Sequence, residues 1–162
     1  MLIILTLATT CHSWANTFNY KYHGCTLLYK KIDEYNIEIT KQNPSLNNEK
    51  IHIPAEVQHN DTIFYVIGIT DNAFSGNKHI KNVIFDPACD IQYIGEGAFS
   101  GCKNLTDIEL PSTITEIKSY TFAWSGLKFI EIHNFITKIG ERAFSNCTNL
   151  TTVSVADSVK GI

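Results

Sequence analysis

Five cysteines and six histidines are the side chains here best suited to hold a metal ion or to supply a nucleophile and its base. Their spacing supports neither use. Zinc sites are built from pairs such as C-x-x-C or H-E-x-x-H, whose short separation lets both ligands reach one tetrahedral ion. His12, His23, His52, His59, His79 and His133 form no such pair, and no C-x-x-C occurs. Neither a G-x-S-x-G nucleophile elbow nor a phosphate-cradling glycine loop is present, and Gly95-Glu-Gly97 is only half of a dinucleotide fingerprint. Acid pairs such as Asp33-Glu34 read as solvated loop charge. The residues point to no catalysis, no cofactor and no metal.

Composition narrows the remaining classes. The chain has 162 residues, 44% of them hydrophobic, and 13 basic against 16 acidic residues give a net charge of −3. A nucleic-acid binder needs clustered Lys and Arg to neutralise phosphates, so this balance argues against one. No apolar run reaches the roughly 18 residues that a transmembrane helix requires. Residues 1–8 (MLIILTLA) are apolar, and Ser13-Trp14-Ala15 places small residues at −3 and −1 of a cleavage point. Residues 1–15 therefore resemble a secretory signal peptide, although no Lys or Arg precedes the apolar stretch. A buried first strand or a gene read from too late a start is the other reading.

What could position a functional face is an internal repeat. Ala73-Phe74, Ala98-Phe99, Thr121-Phe122 and Ala143-Phe144 recur at spacings of 25, 23 and 22 residues. Ile69, Ile94, Ile117 and Ile139 stand five residues before each Phe, and Val66, Ile91, Ile114 and Ile136 three residues earlier again. Downstream follow Ile80, Val83 and Phe85, then Leu105, Ile108 and Leu110, then Leu127, Ile130 and Ile132 with one residue deleted, then Leu150, Val153 and Val155. A unit this short cannot bury its own apolar face, but stacked units join their faces into one core. Within Leu105-Thr-Asp-Ile108-Glu-Leu110, strand alternation turns Ile108 and Leu110 inward and Asp107 and Glu109 outward. Residues 114–117 read as a second extended piece. The segment around each Phe reads as a short helical or 3₁₀ turn, with the rings stacking into a spine.

The stretch Ile94-Gly-Glu-Gly-Ala-Phe-Ser-Gly-Cys-Lys-Asn-Leu-Thr-Asp-Ile-Glu-Leu-Pro111 closely resembles the BspA-type leucine-rich repeat, and Ile139-Gly-Glu-Arg-Ala-Phe-Ser-Asn-Cys-Thr-Asn-Leu150 repeats it. The resemblance covers residues 66–155. Thr70 and Lys118 stand where the pattern has Gly, and Thr121 where it has Ala. It implies a β-rich repeat solenoid with an amino-terminal β cap, and a secreted or cell-surface protein that binds or adheres to proteins, host or matrix proteins among them. Residues 16–65 are expected to be the cap, with strands in the alternating Thr26–Tyr29 and Tyr35–Thr40 segments and at residues 62–67. Residues 66–162 would hold about four repeats, with a fifth begun at 155–162.

Equivalent positions two coils apart lie about 10 Å from each other, given strands stacked at about 4.8 Å. Cys102 and Cys147 occupy such positions and should not bridge, because a disulfide needs Cα atoms within about 7 Å. A Cys25–Cys89 bridge stays open for a secreted chain. Outward strand positions give a candidate protein-binding face of Ile84, Asp107, Glu109, Phe129, Glu131 and His133, in which acids surround an aromatic in the manner of a hot spot for a basic protein. The same acids could simply keep a sheet soluble. Sequons at Asn60, Asn104, Asn146 and Asn149 are candidate glycosylation sites, Asn60 foremost, since Asn-Leu-Thr recurs at Asn104 and Asn149 as part of the repeat. A non-catalytic extracellular binding module is the expected function. The alternatives are an assembly module that stacks through its carboxyl-terminal repeat edge, or an intracellular scaffold if residues 1–15 are retained.

Overall fold

The computed structural model describes residues 16–42 and 46–160; the signal-peptide expectation for residues 1–15 lies outside them. Thirteen strands and no helix occur among the described residues. Strands β1 (Thr17–Tyr22) and β2 (Cys25–Lys31) form an antiparallel hairpin, closed by His23 and Gly24 at φ 45° and 78°. β2 pairs antiparallel with β3 (Asn36–Ile39), and β3 pairs in parallel with β6 (Thr62–Ile69). β5 (Glu56–His59) closes a second hairpin onto β6. From β6 onward all pairing is parallel, as stacked coils require.

One ladder carries β6 to β8 (Tyr93–Ile94), and further along the same face β10 (Glu116–Ile117) pairs with β12 (Lys138–Ile139). A second ladder runs β4 (Lys50–Ile53), β7 (Asn82–Phe85), β9 (Asp107–Ile108). It continues through a Lys128 N–H to Thr106 carbonyl bond of 3.2 Å into β11 (Phe129–Ile132), which pairs with β13 (Thr152–Val155). Stacking therefore starts in β3 and β4, inside the stretch that the sequence pattern assigns to the cap. That coil lacks the Ala-Phe segment, so the repeat register could not reveal it.

The segment around each Phe differs from the helical or 3₁₀ turn expected there. Alternate N–H groups close single turns within the coil, such as Ala98 to Gly95 and Ser100 to Gly97. The others cross to the next coil: Gly97 to Ser119, Phe99 to Thr121 and Gly101 to Ala123, at 2.7–3.0 Å. A helix would keep all of them inside the segment. The alternation arises because the residues two before and two after each Phe have positive φ: Asn72 and Gly76, Gly97 and Gly101, Tyr120 and Trp124, Arg142 and Asn146. Left-handed residues aim successive peptides in opposite senses, and this makes a third hydrogen-bonded face of the solenoid.

Inside the coils the apolar rows meet as the repeat register requires. Ile69, Ile94 and Ile117 are buried, as are Val83, Ile108 and Ile130. The phenylalanines form a column with ring centroids 5.2, 5.7 and 5.6 Å apart and planes within 9° of parallel, from Phe74 through Phe99 and Phe122 to Phe144. Gly95 is needed by close approach: a Cβ there would sit 2.4 Å from the Asp71 backbone nitrogen. All four cysteines of the described part are free thiols, so Cys25 and Cys89 do not bridge. Cys89 Sγ instead donates to the Ile53 carbonyl at 3.2 Å. Cys102 and Cys147 donate to the Phe74 and Phe122 carbonyls at 3.1 and 3.0 Å, and Ser125 lies beside Cys147, its Oγ 3.3 Å from the sulfur. Each thiol thus ties its own coil to the one before it, and the two lie two coils apart.

Candidate functional site

The ladder from β4 to β13 turns one set of side chains inward and leaves the other on an open face. Strand register places Lys50, Asn82 and Asp107 side by side, and His52 beside Ile84. On the following pair Phe129 faces Thr152, and Glu131 faces Ser154. The Lys128 to Thr106 bond brings Phe129 next to Asp107 and Glu131 next to Glu109. A groove of about 950 Å³ opens on this face, and Ile84, Asp107, Glu109, Phe129, Glu131 and His133 all line it. The six residues that alternation singles out therefore share one concave surface.

Its apolar part is exposed for a sheet face. Ile84 and Phe129 are each 41% accessible, and Phe135, which also lines the groove, is 56% accessible. Phe135 escapes the strand argument because it lies past β11, in a corner. Comparison of the copies could have found it. Thr113 and Ser158 hold the equivalent position before Ile114 and Val159, and each hydroxyl donates to a carbonyl of the preceding coil, Ile91 and Ile136. Phe135 gives up that coil-to-coil bond for an exposed ring. His133 steadies the corner: its Nε2 is 3.0 Å from the Pro111 carbonyl, and its Nδ1 is 3.3 Å from the Phe135 N–H. The neutral ring with its proton on Nε2 satisfies both contacts.

Electrostatically the groove is acidic. Asp86, Asp107, Glu109 and Glu131 line it against Lys50 alone among the lysines and arginines. Asp86 accepts a 2.8 Å bond from the Tyr22 hydroxyl, which raises the pKa of that hydroxyl and holds the β1–β2 hairpin against one end of the face. Asp107, Glu109 and Glu131 have no ion pair among the described residues. The ion pairs formed by Lys30, Lys81, Lys138 and Arg142 involve Glu38, Glu49, Glu116 and Glu141 instead. No group of three or more His, Cys, Asp or Glu side chains among the described residues could hold a metal ion. No helix among them is long and apolar enough to cross a membrane.

The sequons are scattered rather than gathered. Asn60 is exposed in the β5–β6 turn at φ 49°, and Asn146 is exposed at φ 57°. Asn149 is exposed on the last coil described. Asn104 is exposed too, but its side-chain amide donates to the Lys78 carbonyl of the preceding coil.

Residues 67–162 match the family model of the BspA type leucine rich repeat region in six copies. Among solved structures, a leucine rich repeat protein of T. pallidum superimposes with a TM-score of 0.71 at 27% identity, covering 84% of this chain and 61% of that one. A leucine-rich repeat protein of Bacteroides capillosus gives 0.69 at 25% identity, covering 85% of this chain and 98% of that one. One from Bacteroides ovatus gives 0.65 at 25% identity, over 86% of this chain and 42% of that one. The chain thus spans less than two thirds of the T. pallidum and B. ovatus proteins. No curated protein is significantly similar to it.

Proposed function

The chain belongs to the BspA-type leucine-rich repeat family, and from that premise we propose that it is a non-catalytic module that binds protein ligands through its acidic groove, outside the cell or at its surface. One observation carries this reading: Ile84, Asp107, Glu109, Phe129, Glu131 and His133 converge on a single groove in which half-exposed aromatics alternate with unpaired carboxylates. Buried aromatic anchors supply most of the energy of a protein interface, and flanking charges set its partner. The proposed organisation is a leader at residues 1–15, a cap at 16–65 and repeats from 66 onward; the leader supports export, and the family likeness supports the adhesive role.

The test is binding of purified chain to a panel of extracellular matrix and host surface proteins, with and without the double substitution Phe129→Ala, Glu131→Ala. Loss of binding with an unchanged melting curve is expected. Undiminished binding by the double variant removes this face from consideration. Amino-terminal sequencing of the protein recovered from its native host checks the leader, and finding residues 1–15 retained in a cytosolic protein would favour an intracellular scaffold.

A second reading has its own support. On the last coil described, Val153 and Val155 are 48% and 49% accessible, whereas their counterparts Ile108 and Leu110 are buried. That edge suits stacking of a further coil from this or another chain. Light scattering across a range of concentrations tests the second case, and a monomer throughout rejects it.

A further inference from the structure

We propose that the groove recognises an arginine-bearing, extended segment of a partner protein, with a guanidinium seated over Phe129; this rests on the protein-binding reading above. The first support is the charge pattern. Asp107, Glu109 and Glu131 lie side by side on the open face with no ion pair among the described residues, whereas Lys30, Lys81, Lys138 and Arg142 pair with other carboxylates. Like charges opposite each other on a sheet destabilise it, so the fold gains nothing from Glu109 beside Glu131. A cationic ligand turns that repulsion into attraction. Nucleic acid and anionic membranes carry the wrong sign for this surface.

The second support is where the rings lie. Phe129 is exposed at the centre of the acids: Asp107 is its neighbour on the adjacent strand, at about 4.8 Å, and Glu131 lies two residues along its own strand, at about 6.7 Å. A planar guanidinium can lie on the ring and direct its edge N–H groups to carboxylates on either side. A lysine ammonium is a compact, strongly hydrated point charge that cannot do both. Ile84 and Phe135 line the same groove and offer apolar contact to residues flanking the arginine. The corner at His133 is already hydrogen-bonded to Pro111 and Phe135, so it forms a wall rather than a moving part.

The experiment uses the full chain and fluorescent octapeptides in which leucine alternates with arginine, lysine, citrulline or glutamate. The arginine peptide should bind, the lysine peptide several-fold more weakly, and the citrulline and glutamate peptides at least a hundredfold more weakly. Phe129→Ala should cost the arginine peptide roughly tenfold, as loss of an interface anchor does. The pair Asp107→Asn, Glu131→Gln should cost it more, while Ile63→Ala on the cap should change nothing. Equal binding of arginine and lysine peptides that Phe129→Ala does not weaken would overturn the inference in favour of diffuse charge attraction. If no peptide binds but a matrix or host protein still binds through Phe129 and Glu131, arginine recognition fails and the protein-binding reading survives. If the double variant also leaves such binding intact, both fail.

Discussion

Replacing Phe99 with alanine tests whether the ring column holds the coils together. Phe99 is fully buried, with Phe74 stacked 5.2 Å on one side and Phe122 5.7 Å on the other, both at 3°. Truncating a core Phe costs about 3–5 kcal/mol, and each aromatic pair is worth about 0.5–1.5 kcal/mol beyond its area. With two pairs lost, the upper end is expected, about 5 kcal/mol. Phe144 is only half-buried and has one stacked neighbour, Phe122 at 5.6 Å. Phe144→Ala should therefore cost about 2 kcal/mol. Phe99→Leu keeps most of the volume and loses only the stacking, so it should fall between them. Urea unfolding followed by circular dichroism gives all three values. The slope must be compared as well, because a solenoid that loses one coil's contacts can unfold in parts. Equal costs for Phe99→Ala and Phe144→Ala, or a cost under about 1 kcal/mol for Phe99→Ala, would refute the graded column.

Gly95→Ala should unfold or strongly destabilise the chain, since the added Cβ would meet the Thr70–Asp71 backbone at 2.4 Å; expression and a thermal melt check this. Gly101→Ala has space for its methyl, with the nearest atom 3.5 Å away, so its cost should be the left-handed backbone alone, about 1–2 kcal/mol at φ 71°. A thiol reagent should label half-buried Cys147 first and fully buried Cys102 only on unfolding, read site by site by mass spectrometry; early labelling of Cys102 would mean that the coils part locally. Burial pushes the Cys102 thiol from 9.0 up to about 12, and Cys25 and Cys89 to about 11. A raised folded pKa means stability that is whole below pH 9 and lost as pH rises toward 12, so urea midpoints should fall across that window and less steeply in Cys102→Ala.

The inward half of this fold was legible because burial constrains residue type at every coil. The isoleucine rows, the phenylalanine column and the outward set all follow from spacing alone. The turn ribbon was not. Its left-handed positions hold Gly97 and Gly101 in one coil but Tyr120 and Trp124 in the next, so residue type does not report the conformation. Hydrogen bonds to neighbouring coils hold those backbones in place whatever the side chain: Tyr120 N–H to Glu141 and Trp124 N–H to Ser145. The early coil at β3 and β4 was hidden for a related reason. There Gln42, not an Ala-Phe pair, meets the next coil, donating its N–H to the Ala73 carbonyl at 2.9 Å.

The outward face obeys a different rule, and this explains why sequence located it without naming a ligand. Each coil packs only on its neighbours, so an outward side chain enters the stability of the solenoid through surface contacts alone. Surface changes of this kind usually alter stability by less than about 0.5 kcal/mol. Asp107, Phe129 and Glu131 are therefore free to vary with no consequence for the coil. The exception is informative. Phe135 replaces a hydroxyl that, in Thr113 and Ser158, bonds one coil to the next. Giving up such a bond leaves the ring 56% exposed, with an edge contact to the His133 ring at 5.9 Å between centroids. Together with Phe129, Glu131 and His133, Phe135 concentrates the aromatic and acidic character of the groove on a single coil. On the proposed reading, recognition centred on that coil would account for a ring that replaces a coil-to-coil hydrogen bond.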